Sequence, residues 1–161
     1  MVKEILKENE RVILVIGSAE KNFIPKNPLT AGERHQLIEA ALREAGVPCE
    51  KYCIVAVRNI NNYALWVNHI NMYCPPYTVL YTGSDLVKAC YSTHQIEIKQ
   101  IDRRHMNISA SEVRHSMIEG TDAWETMVPP AATALLKEWQ IPLRIHTIKD
   151  TMDETKLNNS Y

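Results

Sequence analysis

The sequence has almost no imbalance of charge, which excludes one large class of partner. Its 161 residues carry 18 basic and 19 acidic side chains, for a formal net charge of −1. Proteins that bind nucleic acid through the phosphate backbone carry a basic surplus or a basic patch. The composition therefore implies no nucleic-acid partner.

Long apolar runs are also lacking. No stretch approaches the roughly 20 apolar residues that span a bilayer, and no signal-peptide pattern opens the sequence. We therefore expect a cytoplasmic protein without a membrane segment. The 4 cysteines include no Cys-x-x-Cys pair. Reduced, buried thiols are favoured over a zinc site, although His94 and His105 lie nearby in sequence.

The 45% of apolar residues are enough to bury one sizeable core. Apolar β-branched runs alternate with amphipathic stretches, which is typical of a parallel sheet with helices on both faces. We predict an α/β fold with one domain at residues 1–149 and a polar tail at 150–161. Strands are predicted at residues 12–16, 52–57, 78–82 and 96–101, with 144–148 as a further candidate. Helices are predicted at residues 2–9, 30–45, 64–72, 85–91, from 109, around 124 and at 131–139.

The segment Ile-Ser-Ala-Ser-Glu-Val-Arg at residues 108–114 carries the strongest chemical signal. Ser109 and Glu112 form a Ser-x-x-Glu capping box, which predicts a helix start, and Arg114 follows about one turn later. Free amides, the positive end of the helix dipole and a guanidinium together favour a polyphosphate. Taken alone, such a box more often only begins a helix.

Two short glycine segments follow predicted strands. Gly17-Ser18-Ala19 comes after the strand at 12–16, and Gly83-Ser84-Asp85 comes after the strand at 78–82. In a parallel sheet both segments reach the same edge, where ligands bind and where small residues let phosphate or sugar approach the backbone. Each segment alone is ordinary turn chemistry.

Further segments give these motifs a common explanation. Lys-Asn-Pro-Leu-Thr-Ala-Gly-Glu-Arg occupies residues 26–34, Ala-Leu-Trp-Val occupies 64–67, and Tyr-Thr-Gly-Ser-Asp-Leu-Val occupies 81–87. In this order, from residue 2 to 139, the sequence resembles the archaeal type of nicotinamide-nucleotide adenylyltransferase. The resemblance implies a Rossmann-like nucleotidyltransferase fold. It also implies an enzyme that transfers the adenylyl group of ATP to nicotinamide mononucleotide, giving NAD and pyrophosphate, with Mg²⁺ required.

The resemblance also assigns roles to individual positions. It implies nucleotide contacts by Ser18 and Ala19 at the floor of the site, by Gly83 and Ser84 near adenine and ribose, and by Ser109, Ser111 and Arg114 at the ATP phosphates. Lys26 stands where the family often has a basic residue near phosphate, so Arg114 and Lys26 are the catalytic candidates. Trp66 would stack on the nicotinamide ring. His115 replaces a frequent second arginine, which weakens the phosphate clamp.

Structural explanations stay open for several of these side chains. Trp66 can pack into the core, and Lys26 can be a solvated surface charge. Arg34 can serve only the start of its helix, and His69 can be half-buried without a ligand. The resemblance further implies a homo-oligomer, of which a hexamer is one form, with small-molecule nucleotides as partners.

One departure from the family pattern concerns the beginning of the sequence. Family members begin with a strand and a Gly-Arg-x-Gln-Pro-x-His-x-Gly-His segment, which this sequence does not contain. About twenty residues, including a central strand, would then be lacking. Three explanations are open. The sequence begins at an internal start, residues 144–148 replace the strand, or the chain is a nucleotide-binding module without activity. An adenylyltransferase for another phosphate acceptor, such as flavin mononucleotide or phosphopantetheine, is a further alternative.

Overall fold

Helices and parallel strands alternate along the chain, as the α/β prediction requires. The computed structural model describes residues 1–101 and 108–158, with side chains described as far as residue 152. The helices are α1 Val2–Glu8, α2 Ala31–Glu44, α3 Trp66–Tyr73, α4 Asp85–Tyr91, α5 Ala110–Ile118, α6 Pro130–Glu138 and α7 Ile141–Asn158. The strands are β1 Val12–Ile16, β2 Tyr52–Ala56, β3 Val79–Thr82 and β4 Glu97–Gln100. None of the described helices is both long and apolar enough to cross a membrane.

The four strands form two parallel pairs. β1 pairs with β2 in a register that runs from Val12 opposite Tyr52 to Ile16 opposite Ala56. β3 pairs with β4, and α2 and α4 are the helices of the two crossovers. Parallel pairing brings the carboxyl ends of both strands of a pair to the same edge, where the glycine segments follow β1 and β3.

Helix α1 contacts both strand pairs. It leads directly into β1, and Glu8 at its end forms an ion pair of 2.6 Å with Lys99 of β4. The side-chain amide of Asn9, just beyond the helix, donates to the Tyr81 hydroxyl of β3 at 2.9 Å. Among the described residues, β1 and β3 each have one strand neighbour, β2 and β4 respectively.

Residues 144–148 do not supply a further strand, so that prediction is wrong. They lie inside α7, where Ile141, Ile145 and Ile148 are buried at the spacing of one helix face. Ile141 and Ile145 pack with Met117, Trp124 and Leu136. The β-branched residues that favoured a strand therefore line a buried helix face, because tertiary packing outweighs β-propensity.

Helix α7 also continues beyond the expected domain boundary. The predicted tail at residues 150–161 is helical as far as Asn158, and residues 159–161 lie outside the described part of the chain. The boundary predicted after residue 149 therefore falls within a helix. The polar composition of this segment does not oppose a helix that is nucleated by the buried turns before it.

Truncation on the two faces of α7 tests this packing. Ile145 is 3% exposed and Leu143 is 61% exposed. We expect Ile145→Ala to lower the free energy of unfolding by about 2–5 kcal/mol, because it leaves a cavity in the core. Leu143→Ala should change it by about 0.5 kcal/mol or less. Urea denaturation of the two variants measures the difference, and equal losses would contradict the helical packing.

Candidate functional site

The segment after β1 is bound to the segment after β2. The Ala19 amide donates to the Val57 carbonyl at 3.1 Å, so the two strand ends remain joined beyond the sheet. Ser18 has a φ of 50°, the left-handed conformation in which the chain turns sharply. The carboxylate of Glu20 accepts from the Asn59 amide at 2.9 Å. Hydrogen bonds from backbone amides, chiefly that of Asn59, lower the pKa of Glu20.

Arg34 of α2 holds the same segment from the other side. Its guanidinium donates to the carbonyl oxygens of Gly17 at 3.0 Å, Ser18 at 3.1 Å and Lys21 at 3.4 Å. Burial lowers the pKa of this guanidinium from its usual value, and it stays charged. Arg34 therefore does more than serve its own helix: it fixes the backbone conformation that presents Ser18 and Ala19.

Trp66 opens α3 beside the end of β2. His69, one turn further along, forms a 2.9 Å hydrogen bond through Nε2 with the Arg58 carbonyl. The ring of His69 lies 6.0 Å from that of Trp66 and 5.0 Å from that of Tyr73. The Trp66 side chain is partly exposed, whereas Val67 beside it is buried at 4% exposure. The indole thus lies at the surface, near the segment after β2.

Ser84 follows β3 and caps the next helix. Its hydroxyl accepts from the Val87 amide at 3.4 Å, and its own amide donates to the Thr82 hydroxyl at 3.1 Å. Gly83 stands between Thr82 and Ser84 in this turn. The cap accounts for one of the two acceptor lone pairs of the hydroxyl, and so the cap does not exclude a ligand contact.

The predicted capping box of α5 is present in both directions. The Glu112 amide donates to the Ser109 hydroxyl at 3.2 Å, and the Ser109 amide donates to the Glu112 carboxylate at 2.5 Å. Hydrogen bonds from the side chain and the backbone of Ser109 to the carboxylate lower the pKa of Glu112. Arg114 donates to the Ser111 hydroxyl at 3.1 Å. The helix start, a hydroxyl and a guanidinium therefore lie together at an exposed surface.

Apart from Lys26, the predicted site residues form two groups. Ser18, Ala19 and Trp66 lie around the ends of β1 and β2, whereas Gly83, Ser84, Ser109, Ser111 and Arg114 lie at the starts of α4 and α5. Within the described residues, no direct hydrogen bond, ion pair or ring contact links the two groups. Lys26 is exposed on the turn before α2. His105 lies outside the described residues, among which no three His, Cys, Asp or Glu side chains form a metal-binding group.

An ion pair that the sequence does not predict lies beside this site. Arg144 of α7 contacts the carboxylate of Glu33 with both terminal guanidinium nitrogens, Nη1 and Nη2, at 2.8 Å each. The Thr30 amide donates to the same carboxylate at 2.8 Å, which completes the capping box of α2. The hydrogen bond from Arg144 is the largest influence that lowers the pKa of Glu33. No local pattern around Arg144 indicates this contact.

Acid titration tests the Glu33 interaction. The pKa of Glu33 in the folded chain lies below the usual value of 4.5, so the stabilisation that the ionised carboxylate provides is complete above pH 4.5. It is lost as the pH falls through the lowered pKa, where the folded carboxylate protonates. In urea denaturation we expect Glu33→Gln to be less stable than wild type at pH 7, with a difference that shrinks below about pH 4. The exposed control Glu138→Gln should show no such difference; a constant Glu33 difference would contradict the assignment.

Several named proteins are similar to this chain in sequence. No protein-family model matches the chain. A nicotinamide-nucleotide adenylyltransferase of Caldivirga maquilingensis is 39% identical over 139 residues, which are 85% of this chain and 78% of that protein. Proteins with the same name are 36% identical in Pyrobaculum aerophilum, over 84% of this chain and 77% of the relative, and 36% identical in Picrophilus torridus, over 94% and 88%.

Solved structures agree on the fold. A crystal structure of a bifunctional NMN adenylyltransferase/ADP ribose pyrophosphatase from Francisella tularensis, complexed with AMP and a manganese ion, superposes with a TM-score of 0.71. The match covers 96% of this chain and 49% of that chain at 18% identity. A second structure of that protein gives a TM-score of 0.70 at 16% identity. At this identity the likeness concerns the fold alone, and it agrees with the nucleotidyltransferase fold expected from the sequence.

Proposed function

This chain belongs to the nicotinamide-nucleotide adenylyltransferase family, and on that basis we propose that it transfers the adenylyl group of ATP to nicotinamide mononucleotide, forming NAD and pyrophosphate. One observation carries the proposal: relatives of that name match it at 36–39% identity over at least 77% of their own length. The surface at the start of α5 supports it, because a capped helix start beside a guanidinium suits a polyphosphate.

The reaction asks little covalent chemistry of the protein. The 5′-phosphate oxygen of the mononucleotide attacks the α-phosphorus of ATP, and the bond from that phosphorus to the bridging oxygen of the β-phosphate breaks. The new phosphate–phosphate linkage is that of NAD, and pyrophosphate leaves. The attacking phosphate is already ionised, so no general base is needed. Catalysis then consists of aligning two anions in line and stabilising the charge on the leaving group.

We assign the ATP phosphates to the start of α5. The Glu112 amide donates to the Ser109 hydroxyl, whereas the amides of Ala110 and Ser111 have no partner among the described residues. These two amides, the hydroxyls of Ser109 and Ser111 and the Arg114 guanidinium are suitable donors to phosphate oxygens. Arg114 would stabilise the negative charge that develops on the leaving pyrophosphate.

The remaining residues are proposed to hold the nucleosides. Ser18 and Ala19 would let the nucleotide approach the backbone that Arg34 fixes, and Lys26 would add a cation near phosphate. Gly83 and Ser84 would line the adenine and ribose side. The partly exposed indole of Trp66 would stack on the nicotinamide ring, a contact that is typically worth about 1–3 kcal/mol per base.

Magnesium fits this site as a companion of the nucleotide. Within the described residues no cluster of His, Cys, Asp or Glu can hold the metal alone. Mg²⁺ prefers oxygen ligands and retains several waters, so ATP phosphates with serine hydroxyls nearby are a compatible donor set. When bound, it would neutralise phosphate charge. The homo-oligomeric assembly implied by the resemblance and the cytoplasmic location expected from the sequence stay predictions.

A direct assay tests the function. The 161-residue chain is incubated with ATP, Mg²⁺ and nicotinamide mononucleotide, and NAD is quantified over time. We expect NAD and pyrophosphate in equal amounts. Synthesis would mean that the family's histidine segment is not required in this chain. Nucleotide binding by folded protein without NAD would instead indicate a binding module, and turnover only with flavin mononucleotide or phosphopantetheine would indicate a different acceptor.

Arginine replacement tests the phosphate assignment. We expect Arg114→Ala to lower kcat by about 100-fold or more, because one donor to the developing charge is lost. Arg43→Ala is the matched control, since the Arg43 side chain is 78% exposed on the distant end of α2. Steady-state kinetics measure both variants, and urea denaturation checks that Arg114→Ala remains folded. Equal activity of the two variants would contradict the role of Arg114.

A further inference from the structure

The turn that carries Lys26 has little structure of its own. Ile24 and Asn27 pair through backbone hydrogen bonds of 3.3 and 2.9 Å, which form an isolated antiparallel bridge. Phe23, just before the bridge, has a φ of 50°, in the left-handed region that side chains with a Cβ rarely adopt. Lys26 itself is exposed at the tip. A turn of this kind needs contacts from other elements to keep one conformation.

Arg144 of α7 supplies those contacts on both sides of the turn. Its guanidinium carbon lies 4.7 Å from the centre of the Phe23 ring, a cation–π distance. Its Nη1 lies 3.4 Å from the Pro28 carbonyl oxygen, to which it donates. One planar side chain therefore contacts the residue before the Ile24–Asn27 bridge and the residue after it.

The position of Arg144 is itself fixed. Both terminal guanidinium nitrogens contact the Glu33 carboxylate at 2.8 Å, and the side chains of Arg144 and Glu33 are only 20% and 18% exposed. The backbone beneath is held because Ile141 and Ile145 of α7 are 1% and 3% exposed in the core. Lysine cannot reproduce this contact through two nitrogens, because its ammonium is a point charge without a planar surface to stack on a ring.

We propose that Arg144 is a positioning residue for adenylyl transfer: it holds the turn at residues 24–28 so that Lys26 is directed to the nucleotide phosphates. The proposal rests on the proposed function and on Lys26 as a phosphate contact. Arg144 acts through the turn and does not touch the nucleotide. A purely structural role would stabilise the whole fold without a specific effect on Lys26, so the two roles are separable by experiment.

Limited trypsin digestion tests the positioning without reference to activity. Arg144→Met keeps an apolar side chain of similar reach but removes the fork. We expect cleavage after Lys26 to become about tenfold faster, because the turn at residues 24–28 can then open without breaking the contacts of Arg144. Cleavage after Lys51 and Lys88 should keep the wild-type rate. Mass spectrometry of the fragments measures all three rates, and Arg43→Met is the matched control.

Two digestion results would overturn the proposal. An unchanged rate after Lys26 would show that the turn does not depend on Arg144. An equal acceleration at Lys26, Lys51 and Lys88 would show a loss of global stability in place of local positioning. Both results can be obtained whether or not the chain makes NAD, so they separate this proposal from the proposed function.

Kinetics of a double variant then connect the turn to catalysis. We expect Lys26→Ala and Arg144→Met each to lower kcat/KM for ATP, and the double variant to lose no more than Lys26→Ala alone. Arg144→Lys should recover only part of the Arg144→Met loss. Losses that simply add would overturn positioning through Lys26, because additivity indicates independent sites. If wild type forms no NAD, the proposed function fails by itself, and the digestion result still decides whether Arg144 holds the turn.

Discussion

The first turn of α2 is the constraint on which the candidate site depends. Thr30 and Glu33 cap it in both directions, so the backbone amides of these two residues are satisfied within the helix start. The same turn then reaches outward, since Arg34 holds the carbonyls after β1 and Glu33 receives Arg144 from α7. A helix cap that elsewhere only begins a helix here connects the end of β1, the turn at residues 24–28 and helix α7.

Interactions confined to a few residues explain which elements could be predicted from sequence. The capping boxes at Thr30 and Ser109 act across three residues, and both are present as predicted. Gly46 ends α2 with a φ of 69°, as its sequence position indicates. The strand predicted at residues 144–148 is wrong because contacts between distant residues decide its structure. β-branched residues favour a strand locally, but burial against Met117 and Leu136 decides for a helix.

Residues of the candidate site divide along the same line. Parallel topology already places Ser18 and Gly83 after strands at the ligand-binding edge, and the family resemblance supplies their chemistry. The side chains that fix the site were not predictable, because each acts over a long stretch of sequence. Glu20 and Asn59 are 39 residues apart, and Arg144 and Glu33 are 111 residues apart. The resemblance likewise gives no register for β1 and β2, which the structure supplies.

The separation of Arg144 from Glu33 also sets an order of events during synthesis. Closing a loop of 111 residues carries an entropic cost that nearby contacts do not, so this pair forms late in folding. On a ribosome the strands and α2 emerge before α7. The Lys26 turn therefore acquires its contacts with Arg144 only after α7 has emerged, so the turn is fixed in a later step than the pairing of β1 with β2.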